Sequence, residues 1–234
     1  MSHGKPTPNG NLLIVDGLNL AFRWKHQGNL DFEYDYVRTV QSLAKSYNCG
    51  EIVVLGDGGS DYRKEIYPEY KANRKERYAE QTPEEEQEFL EFLQEFSLTM
   101  KHLKSKGYLT LKYRGVEADD IIATYATQAE KKNWKVSIIS SDKDLMQIVT
   151  KNINILDTMK NKVIGPNEVI EKFGVGPDGV IDVQALAGDS SDNVPGAPGI
   201  GIKTAAQLIN EYGSIENLIK NFEKIKQQKR RGTI

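Results

Sequence analysis

Nine carboxylates recur in short, closely spaced groups along this chain: Asp16, Asp57, the trio Glu117, Asp119 and Asp120, the pair Asp142 and Asp144, and the pair Asp189 and Asp192. One or two acids complement the positive dipole end of a helix. Three within residues 117–120 are too many for that purpose, and at helical spacing Glu117 and Asp120 share a face and repel. Such a group is stable only against cations. An all-oxygen ligand set suits Mg²⁺, with Mn²⁺ as a substitute. Zinc would take nitrogen or sulfur, and His3, His26 and His102 fall outside every acidic group. More acids than one ion can use imply at least two ions. Paired ions activate a water and stabilise the leaving oxygen in phosphoryl transfer, so the chemistry needs no nucleophilic side chain.

Taken singly, most of these acids have plainer explanations. Asp16-Gly17 and Asp57-Gly58 are ordinary strand-to-turn pairs, and Asp142-Lys143-Asp144 could cap a helix. Gly188-Asp189-Ser190 resembles a serine-hydrolase motif, but no histidine follows His102. An aspartyl-phosphate phosphatase would need an acid where Leu18 stands. It is the recurrence of acids after successive strands that favours one shared site.

The intervening segments supply the means of bringing them together. Apolar runs at 11–15, 51–55, 109–113 and 135–140 read as strands, and each leads into one of the acidic groups. Two shorter strands are expected at 153–156 and 162–164. Helices are expected from Gly17 to about Leu43 with a break near Gly28-Asn29, over 116–131, and from Pro83 behind an N-cap at Thr82. That last helix should bury Phe89, Leu90, Leu93 and Phe96 on one face. Strand–helix alternation with apolar strands predicts an α/β fold with a mostly parallel central sheet flanked by helices. Parallel strands end at one crevice, so acids distant in sequence converge there, with Asp189 and Asp192 closing over the same end. Residues 1–10 read as a flexible tail, 11–165 as the α/β core, and 166–234, where helices alternate with Gly/Pro turns, as a helical lobe.

Two further stretches point to nucleic acid. Residues 62–78 interleave tyrosines with arginines and lysines, which suit unpaired bases and phosphates respectively, although a solvated charged loop explains such a run about as well. In Gly199-Ile200-Gly201-Ile202-Lys203-Thr204 a Walker pattern fails, because Ile202 separates Gly201 from Lys203. Read as a helix–hairpin–helix, it leaves backbone amides near a helix start to bind a phosphate without reading the base. Net charge agrees: the chain carries −2, so setting aside the nine acids leaves the remainder at +7, with six basic residues against one Glu between Lys220 and Ile234. At 38% hydrophobic and 27% charged, the 234 residues have the composition of an ordinary globular protein. One cysteine, Cys49, excludes an internal disulfide. No apolar run approaches a membrane span, and residues 1–10 lack the apolar core of a signal peptide, so a cytoplasmic protein without membrane attachment is expected.

These motifs, in this order, resemble the 5′-nucleases of the flap endonuclease family, including the 5′-nuclease domain of bacterial DNA polymerase I and phage-type 5′→3′ exonucleases. The segments that carry the resemblance are Ile14-Val15-Asp16-Gly17, Tyr70-Lys71-Ala72-Asn73-Arg74, Gly115-Val116-Glu117-Ala118-Asp119-Asp120, Ser141-Asp142-Lys143-Asp144, and 187–196 with the hairpin that follows. The resemblance implies a PIN-like core, a helical arch over about 70–103 that a 5′ single strand passes, and a helix–hairpin–helix lobe. It implies a metal set of Asp16, Asp57, Glu117 and Asp119 around one ion and Asp120, Asp142, Asp144, Asp189 and Asp192 around a second. Lys71 would approach the scissile phosphate with help from Arg74, and Tyr70 would lie near the displaced base. Gly199, Gly201, Lys203 and Thr204 would hold the duplex backbone, with a K⁺ ion in the hairpin. The implied partner is branched or 5′-ended duplex DNA with a single-stranded flap, cut by a monomer using two or more Mg²⁺ ions. Family members usually continue with further helices past the point matching Ile234, so a shortened form or a compact variant is expected, with no polymerase domain. The alternatives are a non-catalytic structure-specific DNA-binding protein on this scaffold, or an RNase H-like nuclease removing RNA primers.

Overall fold

The computed structural model describes residues 9–221 and 223 of the chain. Its centre is a six-stranded sheet formed by β1 (Asn11–Asp16), β2 (Glu51–Leu55), β3 (Leu109–Leu111), β4 (Lys135–Ile139), β5 (Ile153–Asp157) and β6 (Lys162–Ile164). The order is β3-β2-β1-β4-β5-β6, all parallel except β6, which runs antiparallel to β5. The central strands β1, β2 and β4 are largely apolar and buried because both of their faces are covered. In β1, Leu12 and Ile14 enter one core while Leu13 and Val15 enter the other, the period-two alternation of a strand. The first core is closed by α6 (Ala118–Lys131), α7 (Pro166–Phe173) and the C-terminal helices α8 (Val180–Ala187), α9 (Ile202–Tyr212) and α10 (Ile215–Lys220). The second is closed by α1 (Gly17–Lys25), α2 (Glu33–Ser46) and α5 (Pro83–Ser105). Between β2 and α5 run the short α3 (Asp61–Ile66) and α4 (Ala72–Ala79).

Helix α5 starts where expected. The Thr82 hydroxyl accepts from the Glu85 amide at 3.2 Å, and the Glu85 carboxylate accepts from the Thr82 amide at 2.9 Å, a reciprocal capping box. The buried face of α5 departs from expectation. Leu90 is 46% exposed and Phe92 is fully buried; Phe92, Thr99 and Leu103 form the seam, flanked by Phe89, Leu93, Phe96 and Met100. Two residues along a helix turn through about 200°, so once Phe92 faces the core Leu90 faces solvent. The third strand also stops early, at Leu111, and α6 begins at Ala118. Residues 112–117 form a turn that pairs with the segment after β2: the Gly58 amide donates to the Val116 carbonyl at 3.0 Å, and the Gly115 amide donates to the Gly58 carbonyl at 2.7 Å. These bonds displace a continuing strand and bring Asp57 and Glu117 to adjoining turns. Among the described residues no helix is long and apolar enough to cross a membrane.

Candidate metal and phosphate site

The central strands deliver the first acids. Asp16 ends β1, 8% exposed, and caps α1 by accepting from the Asn19 amide at 3.3 Å. It also accepts from the Ser140 hydroxyl at 2.9 Å. Just past β4, the Asp142 amide donates to Ser140 Oγ at 3.1 Å, and Asp142 Oδ1 accepts from the Asp144 amide at 2.8 Å. The ends of β1 and β4 are thus tied by a serine between two acids. Asp57, past β2, is exposed and accepts from the Gly59 amide at 2.8 Å. Burial pushes the Asp16 carboxyl up to about 7 despite its hydrogen bonds, with Asp142 and Asp57 adding repulsion. Asp119, in the first turn of α6, is pushed up to about 8 by burial and then by Asp16 and Asp142, with Lys71 opposing. Burial and Asp142 also raise Asp144.

The remaining acids are held by cations. Glu117 is the N-cap residue of α6, 4% exposed, yet its side chain makes no cap bond. Instead it takes Lys71 Nζ at 2.5 Å, Arg63 at 3.1 Å and the Tyr70 hydroxyl at 3.0 Å. Arg63 grips Asp120 through both guanidinium ends, which holds that carboxyl below its usual range. Asp192 takes Arg74 at 2.9 Å and the Tyr70 hydroxyl at 2.9 Å, and Asp189 takes Lys143 at 2.7 Å. A phenol carries one proton, so Tyr70 donates to Glu117 or to Asp192 but not to both at once. The buried phenol beside these two acids is accordingly raised well above its ordinary pKa.

A cleft of about 450 Å³ joins these groups, lined by Tyr70, Arg63, Glu117, Asp119, Asp120, Asp144, Asp189 and Asp192. Asp16 and Asp142 couple to it through Asp119, and Asp57 couples to it through Asp16. The acids predicted from sequence therefore gather past the C-terminal ends of the strands, with Asp16, Asp57 and Asp142 beside the cleft rather than in its lining. Among the described residues no three of them stand in a ready-made ligand cage, and Arg63, Lys71, Arg74 and Lys143 pair with Asp120, Glu117, Asp192 and Asp189. The chemistry of the set nevertheless fits divalent ions with oxygen ligands: every donor is a carboxylate, and Asp16 and Asp119, pushed up by burial and then by neighbouring acids, would be relieved by a cation.

Two partners were not singled out from sequence. Arg63 counted only as one cation of a basic run, and nothing in its spacing marks it as the partner of Asp120, 57 residues away. Gln184, on α8, donates to Asp144 Oδ1 at 2.6 Å and had no signal at all. The side chains of Lys75, Arg77 and Tyr78, residues 1–8, and the basic positions from Lys224 to Arg231 lie outside the described residues.

The hairpin residues do not line the acid cleft. Gly199 adopts φ +75° and Gly201 is the N-cap residue of α9, with no side-chain cap bond. A Cβ on either would meet no atom within 4 Å, so open space adjoins the backbone where the first amides of α9 lack intrahelical partners. Lys203 is exposed and Thr204 half-buried beside them.

A parallel sheet with acids at its strand ends, covered by helices and followed by a helical lobe, defines a resolvase-like α/β fold joined to a SAM-type helical domain. The 5′-3′ exonuclease N-terminal resolvase-like domain matches residues 11–174, and the 5′-3′ exonuclease C-terminal SAM fold matches residues 175–234. The chain belongs to the 5′-3′ exonuclease family. It is 39% identical over 250 residues to DNA polymerase I of Rhizobium leguminosarum, covering 99% of this chain and 24% of that protein. It is 40% identical over 198 residues to a 5′-3′ exonuclease of Buchnera aphidicola subsp. Schizaphis graminum, covering 82% of this chain and 64% of the relative. The chain thus spans about a quarter of the polymerase and under two thirds of that exonuclease. Its fold is similar to that of the T5 D15 flap endonuclease in a pseudo-enzyme–product complex with DNA and metal ions, with TM-score 0.88, 34% identity, and 95% of this chain and 83% of that one covered.

Proposed function

We propose that the chain is a Mg²⁺-dependent, structure-selective 5′-nuclease, acting as a flap endonuclease and 5′→3′ exonuclease on DNA. The observation that carries the reading is the interleaving of Lys71, Arg63 and Arg74 with Glu117, Asp120 and Asp192 along a single cleft. A protein that only binds DNA gains nothing from a buried acid set beside its phosphates, whereas a phosphodiesterase needs both signs of charge. The T5 relative's complex with DNA and metal ions supports the same reading.

Asp16, Asp57, Glu117 and Asp119 would hold one divalent ion, and Asp120, Asp142, Asp144, Asp189 and Asp192 a second, some through water. When bound, such a pair supplies an activated water and stabilises the leaving oxygen of an in-line displacement. The chain's own residues do the rest. Lys71, already beside Glu117 at the cleft wall, presents its ammonium to the scissile phosphate, and Arg74 braces the same phosphate from the start of α4. Tyr70 would lie near the displaced base and uses its hydroxyl to hold Glu117 or Asp192. Helix α4 and the exposed first turns of α5 form the arch that the 5′ strand passes, within a core spanning about residues 11–165. In the lobe from 166 onward, the hairpin amides of Gly199 and Gly201 with Lys203 and Thr204 grip the duplex backbone, aided by K⁺. The protein acts as a monomer in the cytoplasm. Incubating a 5′-flap duplex with the protein in Mg²⁺ and in chelator tests this; binding without cutting in Mg²⁺ would favour the non-catalytic reading.

A further inference from the structure

We infer that Asn193 is a positioning residue for Lys71, fastening the foot of α4 to the acidic loop 188–196 so that the lysine stays at the cleft. The inference rests on the reading of Lys71 as the phosphate-facing cation.

Both residues sit in the left-handed region, Lys71 at φ +57° and Asn193 at φ +57°. Asparagine visits that region readily; a lysine does so against its preference and stays only when its surroundings hold it. The holding groups come from one loop. The Lys71 amide donates to the Asp192 carbonyl at 2.9 Å. Asn193 Nδ2 donates to the Glu69 carbonyl at 2.8 Å, and the Tyr67 hydroxyl donates back to the Asn193 carbonyl at 3.2 Å. Asn73 Nδ2 adds a bond to the Ser190 carbonyl at 2.8 Å. The segment 67–73 is therefore laced to 190–193, more than a hundred residues later in the chain.

The loop is itself a fixed anchor. Asp189 and Val194 exchange two backbone hydrogen bonds, both 2.8 Å. Gly188, at φ +75°, and Gly196 approach so closely that a Cβ on either would lie 2.4 or 2.3 Å from backbone atoms. A loop pinned at its base can hold the foot of α4 at a set height. The Asn193 amide bonds to the backbone of that foot, and Lys71, two residues past Glu69, reaches from it to Glu117 at 2.5 Å. Losing the Asn193 bond would loosen the foot of α4, and Lys71 with it, while the backbone bridge at the base of the loop carrying Asp189 and Asp192 stays.

Asn193→Gly tolerates the left-handed backbone and removes the side-chain bond, at the cost of some added backbone freedom. The test is a double-mutant cycle on single-turnover cleavage of a 5′-labelled flap duplex at saturating protein in Mg²⁺. A displacement of the lysine on the order of 1 Å should slow cleavage by about 10- to 100-fold. The flap Kd in Ca²⁺, the Mn²⁺-binding isotherm and Tm should remain close to wild type. In the Lys71→Ala background the same substitution should cause no further slowing. Equal slowing in both backgrounds, or unchanged cleavage by Asn193→Gly, overturns the inference while leaving the role of Lys71 intact. If Lys71→Ala cuts at the wild-type rate, the underlying reading fails instead. Should Asn193→Gly not fold, Tyr67→Phe removes the reciprocal bond and must show the same dependence on Lys71, at smaller amplitude; slowing that persists in Lys71→Ala counts against it.

Discussion

Arg63 holds both oxygens of Asp120, at 2.6 and 2.8 Å, and its Nη1 also lies 3.1 Å from Glu117. One guanidinium thus engages two of the acids assigned to metal. An ion entering there must exchange with it. Because Arg63 and Asp120 are both more than a third exposed, the pair is worth little more than a surface ion pair. Arg63→Gln should tighten Mn²⁺ binding to the DNA-free protein about fivefold, roughly 1 kcal/mol, measured by titration calorimetry. Weaker binding would mean that Arg63 supports the acid geometry rather than competing for it.

The raised acids set a pH dependence. Asp16 and Asp119, at about 7 and about 8 in the folded chain against 3.8 for the unfolded carboxyl, bind protons more tightly when folded. As pH rises from 4 toward 8 the unfolded chain ionises first, so each group costs the fold up to about 1.4 kcal/mol per pH unit until its folded pKa is passed. In chelator, Tm should fall by several degrees between pH 5 and 8, and Asp119→Asn should flatten that fall. Mg²⁺ binds the ionised form, so its stabilisation should grow over the same range. A wild-type slope matched by Asp119→Asn would show that Asp119 is not one of the groups responsible.

Much of this arrangement was legible in the sequence, and what was missed has a common cause. Acids following apolar strands locate the cleft because parallel strands end together, and Thr82 with Glu85 marks a helix start by local bonding alone. Phe92 was passed over for Leu90 because both are apolar and only contact with α1 and α2 sets the phase of α5. Arg63 with Asp120, Gln184 with Asp144, and Asn193 with Glu69 are pairs between elements 40 to 124 residues apart. No local rule records such a meeting.

Gly58 shows how tightly the acidic turns are fitted. A Cβ there would lie 1.7 Å from the Tyr113 carbonyl oxygen and 3.1 Å from that of Val116. Gly58→Ala must push the 113–117 turn away, carrying Glu117 with it and shifting Asp57 beside it. We expect a loss of about 2–4 kcal/mol in stability by denaturant unfolding, accompanied by weaker Mn²⁺ binding. Wild-type stability would show that the turn can yield without cost.

Lys71→Ala should slow cleavage of a flap duplex by about 100-fold or more while changing its Kd only a few-fold, since a group acting on the reacting phosphate contributes chiefly in the transition state. Equal losses in rate and affinity would assign Lys71 to simple phosphate contact.

The carboxylate cleft should cut DNA using divalent ions. A single 5′-labelled flap duplex, incubated with wild type in Mg²⁺, with wild type in chelator, and with Asp142→Ala in Mg²⁺, tests it directly. Short 5′ products are expected in the first reaction only. Cutting that survives chelation, or that Asp142→Ala performs at the wild-type rate, would contradict it.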